Sequence, residues 1–582
     1  MGINEPIQNG QEYDVIVVGS GAGGMTAALC CQALGLSALV IDKAELYGGT
    51  SAVSGGGIWI PCNDDIPRVG GSDSYEEGLT YLKYLIGDAV PLPRIEAYLR
   101  NAASMVRFMA QRFGVAFRAV KKYPDYFPDK PGGKPGYRTM EPLPFDAARL
   151  GGEFDRLRGQ FKGTLLMGRI SMDQVEAHTL FTRGPGWIWL TLRMMCRYWF
   201  DLAWRRRSGR DRRLVLGQAL VASLRQAMLE KQVPLQLETA LESLVTENGR
   251  VIGVNVVQQG RRFILGARRA VIMACGGFES NQQMREQYLP QPTSTEWCAA
   301  PPINHGDGIR AGQALGAATA FMDLTWGTPT VVVPGKPIAN GIFVERGLPG
   351  CVVVNRQGRR FVNEASPYTE FVYAMYAEHV RSGGGIPCWM VFDATFRKKY
   401  PMGPMLPGQI QPDSALPKDW LDSVYYRADT LDELAAKTGI DPSGLKDTVR
   451  QIGEFAAKGQ DTQFGKGNNV FDRYYSDPAV KPNTCLGPIE KAPFYAVQLH
   501  PGELGTKGGL LADESARVLR PDGSVIEGLY AIGNCSAALM GRTYAGPGAT
   551  LGPAMTFGYI AAHDIAKAAG RPAAQAGVAA AA

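Results

Sequence analysis

Histidine is scarce, with five in 582 residues. That is too few, and too scattered, for a metal site built on imidazole, and no metal is expected. The ten cysteines form no C-x-x-C pair. Neither a zinc ligand set nor a dithiol motif is therefore signalled, and reduced thiols of a cytoplasmic protein are expected. There is no excess of one charge: 61 Lys and Arg stand against 55 Asp and Glu, a net +6. That mild balance does not point to nucleic acid. A long apolar run is missing too. The charge-poor stretch from Thr543 to Ala562 is rich in Gly and Pro at its start, so no spanning helix is expected. Met1 to Gln11 lacks a basic segment followed by an apolar run and does not read as a secretory signal. Pro6 stands where a myristoylation motif needs Ser or Thr. No internal repeat is visible.

What is present is a globular composition, 45% hydrophobic and 20% charged. Such a chain buries a sizeable core, and its length suits several domains or one large domain with an insertion. Its 71 glycines are clustered and non-periodic, which excludes collagen and implies glycine-shaped loops.

The first cluster has a clear context. Asp14–Val18 reads as a buried parallel strand. Gly19-Ser20-Gly21-Ala22-Gly23-Gly24 follows at once, then a helical run to Leu34, then a second apolar run from Ala38 to Ile41 that ends in Asp42. In this dinucleotide-binding pattern Gly19 makes the tight turn and Gly21 lets the backbone approach a pyrophosphate. Gly24 lets helix and strand pack closely. The helix N-terminus offers free N–H groups to the phosphates. Asp42 is placed to accept from the adenosine ribose, and Lys43 is grouped with it.

A second glycine-rich loop, Tyr47 to Pro61, follows the acidic strand and favours FAD over NAD. It resembles the flavoprotein family typified by fumarate reductase and 3-ketosteroid dehydrogenases. The resemblance implies that Gly49, Thr50, Ser51, Ser54, Gly55 and Gly56 wrap the pyrophosphate and flavin. With no histidine in this loop, the FAD is expected to be non-covalent. Two more segments resemble the family: Ala270–Phe278, with Gly277, and Gly528–Asn534, with Gly533 and Asn534. Relatives often carry Asp at the last position, but an amide oxygen can also accept from a ribityl hydroxyl.

These FAD elements bracket the chain. The expected fold is α/β: a Rossmann-like FAD-binding domain in two parts, 1–285 and 491–582, with an inserted α+β catalytic cap at 286–490. Asn304–Gly308 and Gly358–Glu364 resemble the family's cap. Helices are expected near Asp429–Lys437 and from an Asp441 N-cap to Lys458. The alanine-rich tail from Ala573 is expected to be disordered. The segment 186–213 holds Trp187, Trp189, Trp199 and Trp204, with Arg193, Arg197, Asp201 and Arg205 at every fourth position. This predicts one helical stripe and a basic, aromatic helix lying at a membrane interface. Packing against its own domain or a subunit is the alternative.

The chemistry rests on Met540–Pro553. This stretch has a single arginine, Arg542, beside Tyr544 and a run of Gly and Pro. A dicarboxylate clamp would need more cations, so a neutral ketone is favoured. Here the sequence is similar to the C-terminal signature of 3-ketosteroid Δ1-dehydrogenases, and Ser51–Pro61 matches their N-terminal loop. Similarity runs over most of the chain, with extra length in the 130–210 and 400–480 regions. The resemblance implies that Tyr544 and the Gly548 N–H hold the C3 carbonyl oxygen. Tyr368 would take the C2 proton, helped by Tyr126 or by its nearest rival, Tyr123. Ala549, Thr550 and Leu551 would line the flavin, before a helix from about Ala554 to Ala568. Hydride would pass from C1 to flavin N5. The expected reaction is FAD-dependent 1,2-desaturation of a 3-ketosteroid, with side-chain-bearing sterol ketones preferred and a quinone as electron acceptor. Contact with the inner face of the cell membrane is expected through 186–213. The alternatives are Δ4-(5α)-dehydrogenation, and a membrane-surface flavoprotein that binds sterol or moves electrons without this chemistry.

Overall fold

The computed structural model describes residues 7–161 and 164–571. The tail from Ala573 that is expected to be disordered lies outside them. Within them the Asp14–Val18 run is the inner part of a strand, Gln11–Val18, at the centre of a parallel sheet. It pairs in parallel with Ala38–Ile41 on one side and with Arg261–Met273 on the other. Leu235–Gln236 extends the first side. Val525–Ala531, from the far end of the chain, extends the second. Arg261–Met273 also turns outward into an antiparallel arm with Arg250–Gln258 and Thr239–Glu247. The inner strands read as unbroken apolar runs because helices or loops cover both faces.

The Ala22–Ala33 helix is buried over most of its length. It lies against the Leu551–Ala568 helix, and small residues make that approach possible. A Cβ on Gly23 would stand 2.9 Å from the Ala554 carbonyl oxygen, and one on Gly558 would stand 2.8 Å from that of Gly23. The late helix begins at Leu551, three residues before the expected Ala554. Its first turn therefore reaches the loop that carries Tyr544 and Gly548.

The second unit is built on an antiparallel sheet of Asn340–Gly341, Thr325–Val331, Phe494–Thr506, Cys388–Phe392 and Cys351–Val354, with Tyr425–Ala428 also on Phe494–Thr506. Phe494–Thr506 is long enough to serve two neighbours in turn. Its first half pairs with Cys388–Phe392, and its second half with Thr325–Val331. The pairing carries this unit past residue 490, and we place the return to the FAD-binding part at about Thr506. The Tyr368–Ser382 helix packs over the sheet through Phe371, Val372 and Met375. The two later helices run over Leu431–Thr438 and Pro442–Lys458, the second capped by Asp441.

One stripe does not form as expected. Trp187–Phe200 and Leu202–Arg207 are separate helices that break at Asp201 (φ −79°, ψ 65°). The aspartate caps the second helix, accepting from the Trp204 N–H at 3.3 Å. Arg193, Arg197, Asp201 and Arg205 therefore share no continuous face. Arg205 lies over the Tyr198 ring at 3.9 Å, and Arg197 reaches Glu176 at 3.8 Å. Met194, Tyr198 and Trp204 are buried, whereas Trp189 is 77% exposed and Phe200 78%. Among the described residues no helix is long and apolar enough to cross a membrane.

The loop leading to Tyr368 is pinned by fully buried charges. Arg360 bridges Glu364 and Asp461, each at 2.8 Å, and Lys466 approaches Glu364 at 3.7 Å. Burial alone would raise the Glu364 carboxyl, but Arg360 and Lys466 outweigh it and hold the group below its ordinary range. Arg360→Met takes the guanidinium partner from two buried carboxylates. It should cost about 3–5 kcal/mol in denaturant unfolding, and a loss under about 1 kcal/mol would show that the cluster does not anchor this unit.

Candidate functional site

The glycine turn forms the cradle its spacing predicts. Gly19 has φ +113°, and a Cβ there would stand 2.4 Å from the Ala274 carbonyl oxygen. A Cβ on Gly24 would stand 2.2 Å from the Gly19 oxygen, so Gly24 serves helix–strand packing and does not face the cavity. Gly21 does face it, with only the Ser51 hydroxyl near, at 3.4 Å. Asp42 also braces the turn. Its Oδ2 accepts from the Ser20 N–H at 2.9 Å and the Ser20 hydroxyl at 2.5 Å, and its Oδ1 accepts from Ala44 N–H at 2.9 Å. Lys43 donates to Asp307 at 2.5 Å and lies 3.0 Å from His305 Nδ1. It ties this end of the cradle to the loop that follows Asn304.

From here one cavity of about 920 Å³ runs through the molecule. Asp42, Lys43, Gly49, Thr50, Ser51, Ser54, Gly55, Gly56, Gly533, Asn534 and Leu551 line it. Two expected contacts do not. A Cβ on Gly277 would stand 2.0 Å from the Thr506 hydroxyl, so this glycine packs there, and its neighbour Gly276 lines the cavity. Ala549 is buried off the cavity, while Thr550 lines it. An elongated space that opens on a backbone too close for side chains, and then on hydroxyl and amide groups, fits FAD.

Tyr126, Tyr368, Tyr544 and Gly548 meet along the same cavity. The Tyr126 ring is 5.5 Å from Tyr368 and 5.0 Å from Tyr544, and Tyr368 is 5.7 Å from Tyr544, all edge-on. Each comes from a different element. Tyr368 is the first residue of its helix. Tyr126 lies in a loop whose N–H at 126 donates to the Ala545 carbonyl at 3.1 Å. Asp125 anchors that loop by accepting from Trp59 at 2.7 Å and Arg138 at 2.8 Å. Gly548 has φ +94°, and a Cβ there would stand 2.6 Å from Ile58 C. Its N–H approaches the Tyr544 hydroxyl, which also accepts from Thr550 Oγ1 at 3.2 Å. Tyr123 lines the same cavity, but its ring stacks on Tyr474 at 4.7 Å and its hydroxyl accepts from the Tyr475 hydroxyl at 2.9 Å. Geometry thus groups Tyr126, not Tyr123, with the other two.

Burial raises the phenols of Tyr126, Tyr368 and Tyr544 above their ordinary value. At Tyr368 the Tyr126 hydroxyl works against that rise. Trp326 is a neighbour that sequence reasoning missed. Its ring lies 4.6 Å from Tyr544, and its N–H donates to Asn534 Oδ1 at 3.0 Å. No motif surrounds it, and only the strand Thr325–Val331 brings it in. The same cavity is also lined by Phe161, Leu165, Met172, Phe181, Leu406 and Trp420.

This cradle and its buried hydroxyl cluster define a flavin-dependent oxidoreductase. The family model described as "FAD binding domain" matches residues 14–551. A 3-oxosteroid 1-dehydrogenase of Mycolicibacterium smegmatis is 44% identical over 570 residues, covering 96% of this chain and 98% of the relative. The crystal structure of 3-ketosteroid Δ1-dehydrogenase from Sterolibacterium denitrificans, in complex with 1,4-androstadiene-3,17-dione, is 52% identical with a TM-score of 0.94. It covers 96% of this chain and 100% of its own. A 3-ketosteroid-Δ4-(5α)-dehydrogenase from Rhodococcus jostii RHA1, at 21% identity and a TM-score of 0.64 over 96% of this chain and 98% of its own, shares the fold. The chain belongs to the FAD-dependent 3-oxosteroid 1-dehydrogenase family.

Gly19→Ala forces a side chain into a left-handed turn against a carbonyl. We expect flavin absorbance per protein after gel filtration to fall by about half or more. Full retention would mean that this turn does not set the cradle.

Proposed function

We propose that the protein desaturates the C1–C2 bond of 3-ketosteroids, giving 1,4-diene-3-ones. The observation that carries this is the meeting of Tyr126, Tyr368, Tyr544 and the Gly548 N–H in the cavity that the glycine cradle opens. FAD, bound without a covalent link, supplies the acceptor for the hydride that leaves C1. Tyr544 O–H and Gly548 N–H donate to the C3 carbonyl oxygen and stabilise the enolate-like charge that grows as C2 loses its proton. Tyr368, as a phenolate, takes that proton and becomes the neutral phenol. The Tyr126 hydroxyl supports it, which the buried phenol needs. Surrounding aromatic rings keep water out, so both donors act at low dielectric.

Anaerobic spectra with androst-4-ene-3,17-dione and cholest-4-en-3-one test this. We expect the flavin bands to bleach and a 1,4-diene-3-one to form. Bleaching only with 5α-saturated ketosteroids would favour the Δ4-(5α) reaction instead. Tyr544→Phe should slow flavin reduction by about 10²–10³-fold. An unchanged rate in protein that keeps its FAD would remove Tyr544 from the clamp and favour a sterol-binding or electron-carrying role.

We further propose that the substrates include sterol ketones with a side chain, taken up at a membrane surface. The apolar cavity wall of Phe161, Leu165, Met172 and Phe181 suits an aliphatic tail. The nearby exposed residues Trp189 and Phe200, with Arg206 and Arg207, suit anionic headgroups over an apolar layer. A bilayer would also hold a quinone as electron acceptor. The protein should float with vesicles containing anionic lipid, and the double variant Trp189→Ser, Phe200→Ser should not. Equal flotation of both would count against this contact.

A further inference from the structure

We propose that Lys507 is a positioning residue for the ketone clamp, acting as an ammonium group that fixes the backbone leading into Tyr544. This rests on the reading of Tyr544 as a donor to the ketone. Lys507 follows the last residue of the long strand Phe494–Thr506 and is fully buried. Its Nζ donates to three successive carbonyls: Gly541 at 3.3 Å, Arg542 at 2.8 Å and Thr543 at 2.7 Å. An ammonium has three N–H donors and no lone pair, so it matches this turn donor for acceptor.

The same Nζ lies 4.5 Å from the Trp326 ring, which in turn lies 4.6 Å from Tyr544 and bonds Asn534. The lysine thus fixes the tyrosine both through its own chain and through a ring neighbour. Its main chain is held as well, donating to Leu324 O at 2.9 Å and accepting from Ala538 N–H at 3.0 Å. A neutral amine has only two N–H donors and turns a lone pair towards one carbonyl. The third contact then becomes repulsive, and the turn loosens.

The charged surroundings are few. Glu370, on the Tyr368–Ser382 helix, favours the ammonium, and Arg542, on the turn itself, opposes it. Tyr373, with its ring 6.0 Å from Nζ, stays a neutral phenol, pushed up chiefly by burial and also by Glu370 and Asp323. Tyr544 is likewise neutral, because burial raises it. Burial outweighs Glu370 and lowers Lys507 from 10.5 to about 7. The ammonium therefore holds the turn below about pH 7 and is lost above it. Stability moves the other way. The unfolded lysine keeps its proton to about 10.5, so the fold gains stability as pH rises between these values. Deprotonation of Lys507 does not by itself destabilise the fold over that range.

The test is single-turnover flavin reduction by androst-4-ene-3,17-dione in four FAD-loaded proteins: wild type, Lys507→Met, Tyr544→Phe and the double variant. At about pH 6, Lys507→Met should be roughly tenfold slower than wild type. The ratio of the two rates cancels every titration they share, and it should fall towards 1 as pH passes about 7. In the Tyr544→Phe background, Lys507→Met should change the rate less than about twofold, since its effect runs through that hydroxyl. If it slows Tyr544→Phe as much as wild type, or if the ratio does not depend on pH, the proposal is overturned while the clamp stands. If Tyr544→Phe itself reacts at the wild-type rate, the clamp reading falls instead. Should Lys507→Met fail to hold FAD, Glu370→Gln leaves all three carbonyl contacts in place. It should move the loss of rate to lower pH, and an unchanged profile would refute the role.

Discussion

The site depends on one buried stretch of backbone, Met540–Thr550, and on what satisfies its carbonyls. A polar loop inside a protein must find partners for its peptide groups. Here Lys507 takes the oxygens of Gly541, Arg542 and Thr543. Tyr81 O–H and Tyr126 N–H share that of Ala545, and Thr139 takes that of Pro547. The Ala549 N–H serves Gly546, and the Gly552 N–H serves Gly548. These donors come from the Tyr75–Ile86 helix, the Tyr126 loop, the Thr139–Pro142 strand, the residue after the cap strand, the loop itself and the late helix. Satisfying the loop therefore assembles the site.

That arrangement explains why the chain leaves the FAD-binding part and comes back. Phe494–Thr506 belongs to the cap sheet along its whole length and ends at Lys507, against the loop. The parallel strand Val525–Ala531 then returns beside Arg261–Met273. The Leu551–Ala568 helix points its first turn at the cavity, next to Gly548. The positive end of the helix dipole there favours negative charge on whatever the cavity holds beside it. The cap contributes Tyr368 at a helix start and Trp326 from a strand. The tyrosine cluster thus draws on both units, Tyr126 and Tyr544 from the FAD-binding part and Tyr368 from the cap, and lies where they meet.

The local sequence carried the cradle because its physics is local. A strand, a turn that tolerates no side chain, a helix and an acid lie within about thirty residues, and each constraint falls on a fixed position. Gly19, Gly21 and Asp42 could be assigned for that reason. Gly277 and Ala549 could not be separated from Gly276 and Thr550, since which neighbour faces a cavity depends on what packs behind it. The broken helix at Asp201 shows the same limit. Fourfold spacing suggested one stripe, but an aspartate that can cap its own backbone ended the first helix and began another.

By itself, the sequence determined the α/β class, the glycine turn after the first strand, FAD as cofactor and the family to which the residues point. It also singled out Tyr126, Tyr368 and Tyr544 from 23 tyrosines, although only through resemblance. Tertiary structure alone decided that the Tyr126 ring and not that of Tyr123 packs against Tyr368 and Tyr544, that Trp326 lies against Tyr544, and that a lysine holds three carbonyls before Tyr544. The reason is separation along the chain. Glycine turns and caps are set by neighbours a few residues away, whereas Tyr126, Trp326, Tyr368, Lys507 and Tyr544 come together only when sheets and helices far apart in sequence have packed.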